Sequence, residues 1–257
     1  IMKRLFFDIE TTPLVVYSWR IGYKINLPHD NIIEHNKIIC ICYKWENSKS
    51  TNSLIWDSKQ CDKKMLVKFL NLIEQADECV AHNGDGYDIK WIRTRCAFHG
   101  LYCPDKINSY DTLKKARKQF RLNSNKLDYI AKFFGVGEKM QTGGFDLWVD
   151  VMKKDKIAMK KMVEYCKKDV VILEKVFKKI YEYSEVNTHI GVVYGDDKWT
   201  CPKCGSQRIR TNGTRILKSG NIRNRMRCKS CNAGWQVSNT VLRSFLEYQH
   251  DKKNNKN

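Results

Sequence analysis

The sequence predicts an α/β protein in which a mixed β-sheet flanked by helices is followed by a small cysteine-bearing module. Three observations lead there. The chain opens on a near-continuous apolar strand, strand-like runs then give way to strands interleaved with helical periodicity, and two Cys-x2-Cys pairs stand near the end of the 257 residues. That length allows one full-sized domain plus a small module.

The opening run Lys3-Arg4-Leu5-Phe6-Phe7-Asp8-Ile9 reads as a strand buried on both faces. Further strands are expected over 15–21, 38–45, 53–56 and 79–82. Met65, Leu66, Phe69, Leu70 and Ile73 recur at helical spacing. Helices follow over 89–98 and 127–134, the latter stopped by Gly135, and a long amphipathic helix spans about 155–183. The polar, glycine-containing stretch 184–197 ends that pattern, dividing the chain into a domain over 1–190 and, over 191–257, a linker, the cysteine module (about 199–237) and a basic tail. Val241, Leu242, Phe245 and Leu246 give a short amphipathic helix, and residues 251–257 read as a disordered low-complexity end.

Composition excludes several classes. With 42% hydrophobic and 11% aromatic residues, the chain has too much apolar surface to stay unfolded. No apolar run approaches the ~20 residues of a membrane span and no signal-like start is visible, so a soluble cytoplasmic protein without a membrane partner is expected. The net charge of +19 is unevenly placed. Residues 198–257 hold 14 Lys and Arg against two acids, a balance of +12, which leaves +7 for residues 1–197 and points to a polyanionic partner.

Asp8 and Glu10 stand two apart at the end of the buried strand, so alternation turns both to one face and Phe7 and Ile9 to the other. Like charges ~4 Å apart cost on the order of 4 kcal/mol at an effective dielectric of 20, so the pair needs a proton, a basic partner or a metal. The run Val80-Ala81-His82-Asn83-Gly84-Asp85-Gly86-Tyr87-Asp88 leads from a strand through a glycine-rich turn to a helix start. On the long helix, Tyr165 and Asp169 are one turn apart on the same face. Each of these has an ordinary reading as strand end, turn and cap, or helix surface.

Together, in this order, they resemble the three motifs of the DEDD 3′-to-5′ exonucleases, on a ribonuclease-H-like fold. The resemblance covers about residues 3–183 and includes Tyr110-Asp111-Thr112-Leu113 and Leu127-Asp128-Tyr129-Ile130-Ala131. It implies that Asp8, Glu10, Asp88 and Asp169 hold two Mg²⁺ or Mn²⁺ ions, with Asp85 the rival to Asp88. It also implies that Tyr165 orients or helps deprotonate the attacking water, that Asn83 holds the terminal nucleotide, and that Tyr87 is available for packing or stacking on it. One branch of the family carries His five residues before the last Asp, where this sequence has Glu164. Tyr165 at four places this chain with the tyrosine branch, which includes proofreading domains of family-B DNA polymerases and RNA-trimming exonucleases. The implied reaction is in-line attack of water on the terminal phosphodiester, by a two-metal mechanism that releases nucleoside monophosphates.

Cys201, Cys204, Cys228 and Cys231 form two Cys-x2-Cys knuckles separated by 23 residues, each followed by Gly205 or Asn232, which tolerate a tight turn. Four thiolates suit one tetrahedral Zn²⁺, and so short a module needs metal to fold. It is similar to the zinc ribbons of transposases and transcription factors. Between and beside the knuckles, Arg208, Arg210 and Arg225 belong to alternating runs that give one cationic face, read as a phosphate contact. Cys40, Cys42, Cys61, Cys79, Cys96, Cys103 and Cys166 read as scattered reduced thiols, and His82, His99 and His189 as structural. The sequence therefore points to a metal-dependent 3′-to-5′ exonuclease on single-stranded nucleic acid, DNA preferred. The alternatives are an RNA exonuclease or structure-selective nuclease of the same fold, and a non-catalytic nucleic-acid-binding ribbon protein. The ribbon is also a surface for a replication or repair protein, and the Lys- and Asn-heavy usage suggests a phage or mobile-element source.

Overall fold

Strand β1 (Arg4–Thr11) is the centre of a five-stranded sheet because its side chains are apolar to both sides. Leu5, Phe7 and Ile9 enter one core and Phe6 the other. The computed structural model describes residues 2–22, 24–138 and 144–254. They divide into two compact units, Lys3–Ser184 and a smaller one over Glu185–Asn257.

In the first unit β1 is followed by β2 (Val15–Val16), β3 (Ile32–Glu34), β4 (Ile38–Trp45) and β5 (Asn52–Ile55). Helix α1 (Lys63–Gln75), β6 (Glu78–Ala81), α2 (Asp88–Phe98) and β7 (Ser109–Asp111) come next. The sheet order is β5-β4-β1-β6-β7. β4 runs antiparallel to β1 and to β5, whereas β1, β6 and β7 are parallel, so the sheet is mixed, as the sequence predicts. The unit closes with α3 (Thr112–Gln119), α4 (Leu127–Phe133), α5 (Asp146–Met152) and the long α6 (Lys156–Tyr181). Helices α1 and α2 cover the face of Phe7, and α6, with α3, α4 and α5, covers the face of Phe6. There Phe177 packs edge-on against Phe6 and Tyr110, with ring centroids 5.2 and 4.8 Å away.

The strand expected over 15–21 is a correction. Only Val15 and Val16 pair, with β3, because β4 and β6 already occupy the two edges of β1; Trp19 and Ile21 are fully exposed. Asp62 holds three elements together. Wholly buried ahead of α1, it accepts the Ile38 N–H of β4 at 3.0 Å, two bonds from Arg95 of α2 at 2.7 and 2.9 Å, and one shared with His99 at 2.6 Å.

The second unit contains α7 (Ile190–Val193), the antiparallel strands β8 (Ile209–Ile216), β9 (Ile222–Cys228) and β10 (Gly234–Val237), and α8 (Asn239–Asn254). Its small core joins Trp199, Ile209, Met226, Val237 and Phe245. Helix α8 continues through residues 251–254, which were expected to be disordered; residues 255–257 of that tail lie outside the described residues. Lys252 and Lys253 in its last turn oppose the negative end of the helix dipole, and Lys252 lies over the Tyr248 ring.

Replacing Asp62 with Ala leaves the buried Arg95 guanidinium and the Ile38 N–H without their acceptor. We expect a loss of about 3–5 kcal/mol in unfolding free energy, measured by urea denaturation.

Candidate active site

The residues singled out in the first unit gather where β1 outruns its parallel neighbour. β6 pairs with β1 only as far as Phe6, so from Phe7 onward that edge of β1 has no strand beside it. Asp88, the first residue of α2, fills the gap: its Oδ1 accepts the Ile9 N–H at 3.2 Å. Burial, more than the nearby charge of Asp111, pushes the Asp88 carboxyl up to about 7 in spite of the N–H bonds it accepts. Asp85 points elsewhere, making a 2.7 Å ion pair with Lys114 and lining a separate cleft with Arg93 and Asp105. Of the two acids in this turn, Asp88 is the one joined to β1.

Asp8 and Glu10 lie opposite Cys42 and Cys40 of β4 in the β1–β4 register, on the sheet face covered by α6. From α6 the Cys166 thiol meets them, 3.7 Å from Asp8 Oδ2, and ligand atoms of Asp8, Glu10 and Cys166 all lie within 4.8 Å of one another. Asp169, buried, follows three residues later on α6, with half-buried Tyr165 one turn before it. Asp8 and Asp169 line a cleft of about 630 Å³ together with His82, Asn83, Arg117 and Lys126. Among the described residues, Asp88 and Asp169 are neighbours of the Asp8–Glu10–Cys166 set rather than members of it.

The turn after β6 is fixed by Asp111. Its carboxylate accepts the N–H groups of Asn83 at 3.0 Å and Asp85 at 3.3 Å, and caps α3 through Leu113 at 2.9 Å. Asn83 takes a left-handed φ of 66°, and a Cβ at Gly84 would stand 2.5 Å from Ala81 Cβ, so glycine is required at 84. Tyr87 is partly exposed and its hydroxyl shares a 2.8 Å hydrogen bond with Thr11 Oγ1 at the end of β1.

His82 is held by Thr112 Oγ1 and the Asn125 carbonyl, both at 2.9 Å. The cleft wall formed by Arg117 and Lys126 was not anticipated. Its only sequence signal is the run of cations between the second and third motifs.

In the second unit Cys201, Cys204, Cys228 and Cys231 converge, with Sγ–Sγ distances of 3.5 Å (Cys201–Cys231) and 3.7 Å (Cys204–Cys228). Four sulfurs at about 2.3 Å from one tetrahedral ion stand about 3.8 Å apart, so the set fits zinc. Gly205 and Asn232 both adopt left-handed φ, 70° and 61°. Although burial opposes it, N–H bonds from Cys231 and Ser230 bring the Cys228 thiol down to about 7. On the hairpin, Arg210 pairs with Arg227 and Arg215 with Arg223, while Arg225 lies opposite Gln236; Arg208 is exposed just ahead of β8. Met226 and Cys228 face the opposite, buried side.

Residues 29–181, more than half of the chain, match the RNase_H superfamily. The chain belongs to that superfamily. The solved structure of the family B DNA polymerase from the hyperthermophilic archaeon Pyrobaculum calidifontis has a similar fold, with a TM-score of 0.54 and 15% sequence identity over 71% of this chain and 26% of that one. The chain therefore spans only about a quarter of the polymerase's length. No curated protein matches in sequence.

For this RNase_H-superfamily chain the donors on β1 and α2 are carboxylate oxygens, the set that hard divalent ions take, and burial makes a cation or a proton necessary. In chelator the proton takes that part. A carboxyl raised from about 4 when unfolded to about 7 when folded adds stability that is fully present below pH ~4 and lost as pH rises through 7. The melting temperature in EDTA should thus fall between pH 4 and 7, and Asp88→Asn should flatten that slope.

Proposed function

We propose that this chain is a metal-dependent 3′-to-5′ exonuclease of the DEDD type, tyrosine branch, acting on single-stranded nucleic acid with DNA preferred. The observation that carries the reading is the Asp8–Glu10 pair on β1 facing α6, with Asp8 lining a cleft that Asp169 and Asn83 also line. Membership of the RNase_H superfamily supports nuclease chemistry.

Asp8, Glu10, Asp88 and Asp169 would hold two Mg²⁺ or Mn²⁺ ions. Bound there, the ions supply Lewis acidity toward the attacking water and neutralise the charge that develops on the leaving oxygen. Tyr165, one turn before Asp169, orients the water with its hydroxyl. Asn83, held by Asp111, and Tyr87, tethered to Thr11, receive the terminal nucleotide. Arg117 and Lys126 give the cleft a cationic wall against which the scissile strand's phosphates settle.

The second unit serves as the grip. One zinc ion on Cys201, Cys204, Cys228 and Cys231 holds the hairpin, whose arginine face, Arg210 and Arg225 included, with Arg208 beside it, contacts backbone phosphate. Like charges directly opposite on a hairpin destabilise it, so the Arg210–Arg227 and Arg215–Arg223 pairs favour a polyanion in their vicinity. A pure binding protein has no use for four acids at the motif positions, which sets the non-catalytic reading aside.

The deciding experiment incubates 3′- and 5′-labelled single-stranded DNA and RNA with Mg²⁺ or Mn²⁺. Stepwise loss from the 3′ end is expected, faster on DNA. Asp8→Ala and Asp169→Ala should each lower the rate by on the order of 10³-fold or more, and Tyr165→Phe by roughly 10- to 100-fold. Activity that survives in Asp169→Ala sinks the assignment, and faster loss from RNA reverses the substrate preference. Atomic absorption should find zinc on the ribbon, and Cys204→Ser should lower the zinc count by one per chain. Arg210→Gln and Arg225→Gln should each lower the salt slope of single-strand affinity by about 0.7.

A further inference from the structure

Three of the cysteines outside the ribbon are not scattered. Cys40 and Cys42 are two apart on β4 and point to the α6 face, and Cys166 comes down from α6 onto them. The three Sγ atoms lie within 4.8 Å of one another, and all three side chains are wholly buried. Three thiolates around one ion at about 2.3 Å stand about 4 Å apart, within that limit. Packing alone makes no demand for three adjacent thiols in a core otherwise built of aliphatic and aromatic side chains.

The thiols also adjoin the carboxylate pair. Cys42 lies opposite Asp8 and Cys40 opposite Glu10 in the β1–β4 register, and Cys166 Sγ is 3.7 Å from Asp8 Oδ2. Cys166 is thus the sulfur that the thiol set shares with the Asp8–Glu10 pair. Asp8 lines the cleft and the Cys166 thiol lies against Asp8, so the thiols stand beneath the cleft floor. The two donor sets differ in softness: carboxylates take Mg²⁺ and Mn²⁺, whereas thiolates select Zn²⁺, Cd²⁺ and Cu⁺.

We propose that Cys40, Cys42 and Cys166 form a second thiolate site, separate from the ribbon, for one thiophilic cation of the zinc–cadmium class. Cys166 belongs to both sets, so an ion held by the thiols engages the one sulfur that also meets the carboxylate pair. This site stands on the cluster geometry and does not require the exonuclease reading.

The test is a Cd²⁺ titration of the full-length, reduced, metal-free chain, followed by the thiolate-to-metal charge-transfer absorption and by counting bound metal. Two Cd²⁺ per chain are expected. The doubly substituted ribbon, Cys204→Ser with Cys231→Ser, should keep one with its absorption band, and Cys166→Ser in the intact ribbon should also fall from two to one. Circular dichroism establishes that each variant is folded; Cys40→Ser replaces Cys166→Ser should the latter unfold. A ribbon variant that binds no thiolate-ligated Cd²⁺, or a folded Cys166→Ser chain that still binds two, overturns the proposal. Mg²⁺ should produce no band and should not displace the bound Cd²⁺; displacement would equally overturn it.

Discussion

Two carboxylates on the central strand of a buried sheet set the terms for the first unit. β1 must send Leu5, Phe7 and Ile9 into the α1–α2 core, so period-2 alternation sends Phe6, Asp8 and Glu10 toward α6. Such a pair costs on the order of 4 kcal/mol in mutual repulsion at an effective dielectric of 20, before any desolvation. Position relieves part of it. Beyond Phe6, β6 no longer flanks β1, and the opening admits both Asp88 and the cleft. Parallel strands that splay at their carboxyl ends create such crevices generally. Here the crevice carries the acids.

The charge of +19 divides along the same lines. The first unit concentrates its acids at the end of β1 and places cations such as Arg117 and Lys126 around the cleft. The second carries its excess on one face of a hairpin whose other face is the core of Met226 and Cys228. Each unit thus carries its charge apart from its apolar core, the first around the cleft that Asp8 and Asp169 line and the second on the arginine face of a hairpin beside four converging cysteines.

What could be read from the sequence was what repeats at short range. The strand period placed Asp8 and Glu10 together, the helical period placed Tyr165 over Asp169, and the two knuckles announced themselves by spacing. What escaped lacked a local signature. β7 is only Ser109–Asp111, and its partner β6 identifies it. Helix α3 is dominated by Lys114, Lys115, Arg117 and Lys118 and forms because Asp111 caps it. Val15–Val16 is short because both sides of β1 were already taken by β4 and β6, which apolar content cannot reveal. Cys40 and Cys42 meet Cys166 only through the packing of α6 on β4.

Asp111 also has a mechanical consequence. One carboxylate receives the N–H groups of Asn83 and Asp85 from the turn after β6 and those of Leu113 and Lys114 from the first turn of α3. Asn83 stands on one side of the cleft and Arg117, a turn further along α3, on another. A single buried carboxylate ties the turn of Asn83 to the first turn of α3, so these two cleft-lining segments share one anchor. Long side chains such as Arg117 and Lys126 keep the conformational freedom that this shared anchor takes from the backbone of the turn.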